Sequence, residues 1–136
     1  MTSLDRAYLF SNFGGNAPAS AAEIERFEKE VGFRLPKDYA AFLEWSNGGE
    51  GFIGSNAYVI FWPLGELSKM NKAYQVQEYA PGFFIFGADG GGEAFAFDAR
   101  TSQMPIVSLP FVGMGPSVAC VIGSTFEDFL EALFML

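Results

Sequence analysis

Apolar positions recur along this chain first at helical spacing, then in alternating or continuous runs, then at helical spacing again. A short opening helix is expected from Leu4 to Phe10, followed by a loop through Pro18. Ser20-Ala21-Ala22-Glu23 reads as a capping box, in which hydroxyl and carboxylate satisfy each other's backbone N–H groups. The helix it opens sets Ile24, Phe27 and Val31 on one face and ends at Gly32. Glu23, Glu25, Arg26, Glu28, Lys29 and Glu30 fill its solvated side. In the next helix Pro36 occupies the first turn, where its missing N–H has no intrahelical partner to lose. Tyr39, Phe42, Leu43 and Ser46 follow at i, i+3, i+4 and i+7, and Asn47-Gly48-Gly49 predicts a left-handed cap.

Strand patterns fill the middle. Tyr58–Trp62 is aromatic and β-branched and ends at Pro63. Leu64–Tyr79 reads as one further helix with Leu67, Met70, Tyr74 and Val76 inward, stopped by Pro81-Gly82. Phe83–Ala88 and Glu93–Asp98 flank Asp89-Gly90-Gly91-Gly92, whose residues tolerate turn dihedrals, so a hairpin is predicted. Phe95 and Phe97 share one face of its second strand. Pro105–Pro110 and Val118–Ile122 give two more strands around a Gly- and Pro-containing loop. Ser124-Thr125-Phe126-Glu127 is read as a second capping box, opening a terminal helix with Phe126, Phe129, Leu130, Leu133 and Phe134 inward. Helices at both ends around a block of antiparallel strands place the fold in the α+β class.

Length narrows this to one domain over residues 1–136, with residues 1–19 as an N-terminal extension packed on it. The apolar runs are strand-length, far short of the ~20 residues that span a bilayer. The opening Met1-Thr2-Ser3-Leu4-Asp5-Arg6 lacks a basic region followed by an apolar one, so a soluble, cytoplasmic protein is expected.

Net charge is −8, from 16 acidic and 8 scattered basic residues, which disfavours nucleic acid and suits a basic protein partner. The chain has no histidine, which removes Ser-His and Cys-His dyads and most zinc sites. Cys120, the single cysteine, sits in an apolar run and reads as a small buried hydrophobe.

Asp89-Gly90-Gly91-Gly92-Glu93 is glycine-rich, but a strand follows it rather than a helix N-terminus, so no phosphate cradle is expected. Asp89, Glu93 and Asp98 are oxygen donors without calcium-loop spacing. No carboxylate pair stands in a glycan-cleft signature, and Trp45 and Trp62 read as packing rather than a stacking platform. No catalytic residue, metal or cofactor is expected.

Three blocks together resemble the SUKH superfamily, the Smi/Knr-type domain. They are residues 24–32 leading into Leu35-Pro36-Lys37-Asp38-Tyr39, Phe42-Leu43 and Asn47-Gly48-Gly49-Glu50; residues 84–93 with Phe95 and Phe97-Asp98; and Ser124–Leu130. The resemblance implies a curved, mainly antiparallel sheet flanked by N-terminal, middle and C-terminal helices. It also implies that bacterial members act as immunity proteins that bind and neutralise a polymorphic toxin, often a nuclease, while fungal members resemble signalling scaffolds. The expected function is therefore a non-enzymatic protein-binding domain facing a basic toxin, with an intracellular scaffold or regulatory module as the alternative. A carboxylate-based, metal-dependent or small-molecule enzyme is the third and weakest reading. Expected partner-binding residues are Glu50, Asp89, Glu93 and Asp98, exposed at loop or strand ends, with Glu66 and Glu78 flanking the middle helix. No membrane association is expected, and oligomeric state is left open.

Overall fold

Each strand pairs with the strand next to it in the chain, so the sheet is an antiparallel meander running in sequence order. The structure is a computed structural model and describes residues 7–136. The strands are β1 (Asn12–Gly15), β2 (Gly49–Ile53), β3 (Ala57–Phe61), β4 (Phe83–Ala88), β5 (Glu93–Asp98), β6 (Ile106–Pro110) and β7 (Cys120–Gly123). The helices are α1 (Ala21–Val31) and α2 (Lys37–Trp45) before β2, α3 (Leu64–Ala73) and α4 (Val76–Tyr79) before β4, and α5 (Phe126–Phe134). The α+β expectation holds, with the helices flanking an open sheet.

Directly opposed residues of an antiparallel pair share a face. One face gathers Phe61, Phe86, Phe95 and Phe97, which α2 and α5 cover with Tyr39, Phe42, Phe126 and Phe129. Phe86 and Phe97 stack with centroids 4.5 Å apart, and Phe126 lies 5.2 Å from Tyr39. On the opposite face Ile85, Ala94, Ala96, Val107 and Leu109 are also buried. There α3 and α4 pack against β4, and Tyr74 closes on Phe111 at 4.4 Å.

Several expectations are corrected. The predicted opening helix is helical at residues 7–9, while its residues 4–6 lie outside the described ones. Residues 12–15 form an edge strand, and 49–53 form β2; neither was expected, because both are rich in glycine. The glycines serve a packing purpose: the Phe13 ring lies across the sheet where a β-carbon on Gly49 would come within 2.8 Å of it. The helix predicted over 64–79 breaks at Gln75, whose φ is +54°, and Tyr74 is exposed rather than inward.

The expected left-handed cap of α2 is absent. Ser46 is extended (φ −148°), and positive φ appears two residues later, at Gly48. The Ser46 hydroxyl donates to Gly48 O at 2.7 Å and accepts from Asn16 N at 2.9 Å. Asn47 Oδ1 accepts from Leu64 N at 2.7 Å, so this residue satisfies the start of α3 instead. The capping box at Ser20 and Glu23 is present with both bonds. At α5 the cap is Thr125, which accepts from Asp128 N at 3.0 Å, one residue later than expected. Cys120 is exposed, not buried, because β7 is the last strand of the sheet.

Candidate functional site

The face that is buried over β4–β6 is open over β1–β3. Register puts Asn12 opposite Phe52, Phe52 opposite Tyr58, and Glu50 opposite Ile60, all on this face. Glu50, Phe52 and Tyr58 are exposed, the last two at 41% and 36%, and Ile60 is half-buried. The Phe52 and Tyr58 rings meet edge to face, with centroids 5.2 Å apart. The Tyr58 hydroxyl donates to Glu50 Oε2, and this bond to a carboxylate, more than desolvation or charge, raises the phenol above the ordinary tyrosine range. An exposed carboxylate is thereby tied to two exposed rings on the three paired strands β1–β3.

The turn between β4 and β5 borders this patch. A β-carbon on Gly90 would lie 3.5 Å from Tyr58 Cδ2 and 3.9 Å from Ile60 Cδ1. Asp89 closes the turn from within: its Oδ1 accepts from Gly91 N at 2.7 Å and from Glu93 N at 3.1 Å. Both Asp89 and Glu93 are half-buried, and the register of Glu93 with Pro110 sets it on the Phe95 face, away from Glu50. The structure thus brings Glu50 and the Asp89 turn together and separates Glu93 from them.

Asp98 is not the exposed acid the sequence suggests. It is 8% exposed at the far end of β5. Its Oδ1 accepts from Arg100 Nε at 2.9 Å and from Arg100 N at 3.1 Å, and its Oδ2 from Nη2 at 2.9 Å. The hydrogen bonds from Arg100 hold its carboxyl below the ordinary aspartate range despite burial. The guanidinium rests 4.6 Å over the Phe83 ring. Glu66, in the first turn of α3, and Glu78, in α4, are exposed on helices that pack against β4.

Sequence reasoning missed Phe52, Tyr58 and Ile60 as site residues. Tyr58 carried a signal, since it is the polar-tipped aromatic alternating with Ala57 and Val59; Phe52 became visible only through the β2–β3 register.

The remaining candidates are structural. An open groove of about 510 Å³ between α1, α3 and β4 is floored by Phe33, Phe83 and Phe84. Its amides are committed: Asn71 to Leu67 and Ile85, Gln77 to Phe83 O and Gly82 N. Trp62 is buried and Trp45 sits beside Phe10 and Phe42, so both pack. Among the described residues no three His, Cys, Asp or Glu converge as metal ligands would, and no helix is long and apolar enough to cross a membrane.

The residues of the resemblance blocks hold elements together. Glu28 Oε2 accepts from Leu35 N at 2.7 Å, joining α1 to the approach of α2. Asp38 Oδ2 accepts from Glu127 N at 3.0 Å, joining α2 to α5. No curated protein matches the chain. The model of the SMI1/KNR4 family (SUKH-1) matches residues 18–132, every element from α1 through β7 and most of α5. With a match across that span, the chain belongs to the SMI1/KNR4 family, SUKH-1.

Proposed function

We propose that this chain is a non-enzymatic protein-binding domain whose partner is a basic toxin domain, which it neutralises in the cytoplasm by covering the toxin's substrate-binding face. The observation that carries the reading is the open face of β1–β3, where Glu50, Phe52 and Tyr58 stand exposed together beside central strands β4 and β5 that are buried on both sides. Phe52 and Tyr58 belong to the aromatic residue types enriched at protein interfaces, and the Glu50 carboxylate beside them suits a basic partner. A net charge of −8 steers a basic partner toward the chain and repels nucleic acid. Against a nuclease, the Glu50 carboxylate would take the position of a substrate phosphate, with the Asp89 turn at its border, while Glu93, on the other face, and Glu66 and Glu78, on α3 and α4, stand outside the proposed contacts. Asp98 is no longer among the proposed contacts, since Arg100 already neutralises it.

Co-purification from the native host tests this. A toxin domain is expected in the eluate, and Glu50→Lys with Phe52→Ala is expected to weaken its capture and make the residual binding more salt-sensitive. Capture of a non-toxic regulatory protein on the same face would move the reading to an intracellular scaffold. Toxin capture that both substitutions leave unchanged would remove the face.

A further inference from the structure

Among the described residues a carboxylate, a guanidinium and an aromatic ring meet in one place. Asp98 holds Arg100 through both carboxylate oxygens, and the same guanidinium lies over Phe83. On the open face the carboxylate and the rings are present without the cation. Glu50 spends Oε2 on the Tyr58 hydroxyl, and among the described residues no lysine or arginine pairs with it. We propose that the Glu50–Tyr58–Phe52 face binds an arginine side chain of the partner, with the guanidinium on the Glu50 carboxylate and its plane against one exposed ring face of the edge-to-face Phe52–Tyr58 pair. The inference rests on the reading of this face as the partner site and specifies what that site recognises.

Two features favour arginine over lysine. The Tyr58 hydroxyl fixes the carboxylate beside the rings, and a planar guanidinium can donate to it while stacking, which a compact ammonium cannot do as well. The rings remain accessible enough to receive a cation, and Arg is the more frequent partner of aromatic faces. The bordering turn is glycine at 90, 91 and 92, so it places no side chain of its own against the rings. Asp89 adds negative potential at the border while its Oδ1 stays committed to the turn.

The test titrates the full chain with octa-arginine and with octa-lysine, followed by tyrosine ring resonances and by calorimetry. Octa-arginine is expected to bind about fivefold to tenfold more tightly, a difference equivalent to roughly 1–1.4 kcal/mol. That preference should fall away in Glu50→Gln and in Phe52→Ala and persist in the control Glu66→Gln. Tyr58→Phe, which keeps the ring and frees the carboxylate, should reduce it partly. Equal affinity for the two peptides would overturn the proposal, as would a preference that survives Glu50→Gln combined with Phe52→Ala. The toxin reading fails separately: an intact arginine preference with no toxin captured from the host leaves the site standing and removes that partner. Toxin capture with no arginine preference removes the site and leaves the partner.

Discussion

The carboxamide of Asn71 pairs with the backbone of Ile85 as a neighbouring strand would. Its Nδ2 donates to Ile85 O at 2.9 Å, and Ile85 N donates to its Oδ1 at 2.9 Å, while the second Nδ2 hydrogen goes to Leu67 O at 2.8 Å. The arrangement has a clear cause. β3 pairs with β4 only as far as Phe61 and Gly87, with Trp62 N reaching Phe86 O at 3.2 Å, before Pro63 turns the chain into α3. α3 then returns a side chain to the stretch of β4 that β3 no longer covers. Buried backbone groups must find partners, and here a helix supplies them.

Asn71→Ala is therefore expected to be severe for a single polar truncation. It strands the Ile85 N–H and C=O in a site only 8% exposed at Asn71. Each unsatisfied buried group costs about 1–3 kcal/mol, so a loss of about 2–5 kcal/mol is expected in urea unfolding. A loss under about 1 kcal/mol would mean that water or a strand shift replaces the pairing.

Tyr39 offers the opposite case. Its ring is packed among Phe42, Phe86, Phe97 and Phe126 at 1% exposure, and its hydroxyl has no hydrogen-bond partner among the described residues. Burial pushes the phenol far above the ordinary tyrosine range, so it stays neutral in the folded protein. Tyr39→Phe removes the stranded oxygen and keeps the ring. A gain of about 1 kcal/mol is expected from thermal or urea unfolding, and a marked loss would show that the hydroxyl has a partner after all.

Asp98 and Arg100 set a pH dependence. Because hydrogen bonds from Arg100 lower the folded-state pKa of Asp98, the folded protein binds this proton less readily than the unfolded chain does. The stabilisation is fully present above the ordinary aspartate range, near pH 4, and is lost as pH falls through the lower folded value. Asp98→Asn should therefore flatten the acid limb of the stability profile and change its neutral limb by a constant amount. Denaturant melts from pH 7 to pH 2 measure this, and identical acid limbs in both proteins would exclude Asp98 as a contributor.

How legible each part was depends on what its residues had to accommodate. α1, α2 and α5 were readable because Ile24 and Phe27, Tyr39 and Phe42, and Phe126 and Phe129 recur at helical spacing on faces that do become buried. β4 and β5 were readable as runs buried on both sides. β1 and β2 were not, since the Phe13 ring and the close strand approach demand glycine at 49 and 51, which erases the β-branched signature. That omission hid the site. Glu50 stood out because it follows a glycine pair, but its companions Phe52 and Tyr58 depend on a pairing the sequence did not announce. Asp98 was misplaced for a local reason, because Arg100 two residues later folds back onto it.

Two glycines with nearly the same backbone separate conformational strain from steric conflict. Gly32, at φ +84°, ends α1 with nothing within 4 Å of a would-be β-carbon. Gly48, at φ +78°, would set that carbon 2.5 Å from Phe61 O, 2.8 Å from Trp62 C and 2.8 Å from Pro63 N, all of them backbone. Gly32→Ala should cost only the left-handed penalty, about 1–2 kcal/mol. Gly48→Ala adds a collision that rotamer changes cannot relieve, and the atoms that must move belong to the end of β3, three residues past Tyr58. It is expected to cost about 2 kcal/mol or more beyond Gly32→Ala, and to shift the Tyr58 ring resonances where Gly32→Ala leaves them in place. Equal destabilisation of the two variants, with Tyr58 unmoved in both, would show that the backbone at Phe61–Pro63 yields freely and that the open face does not depend on Gly48.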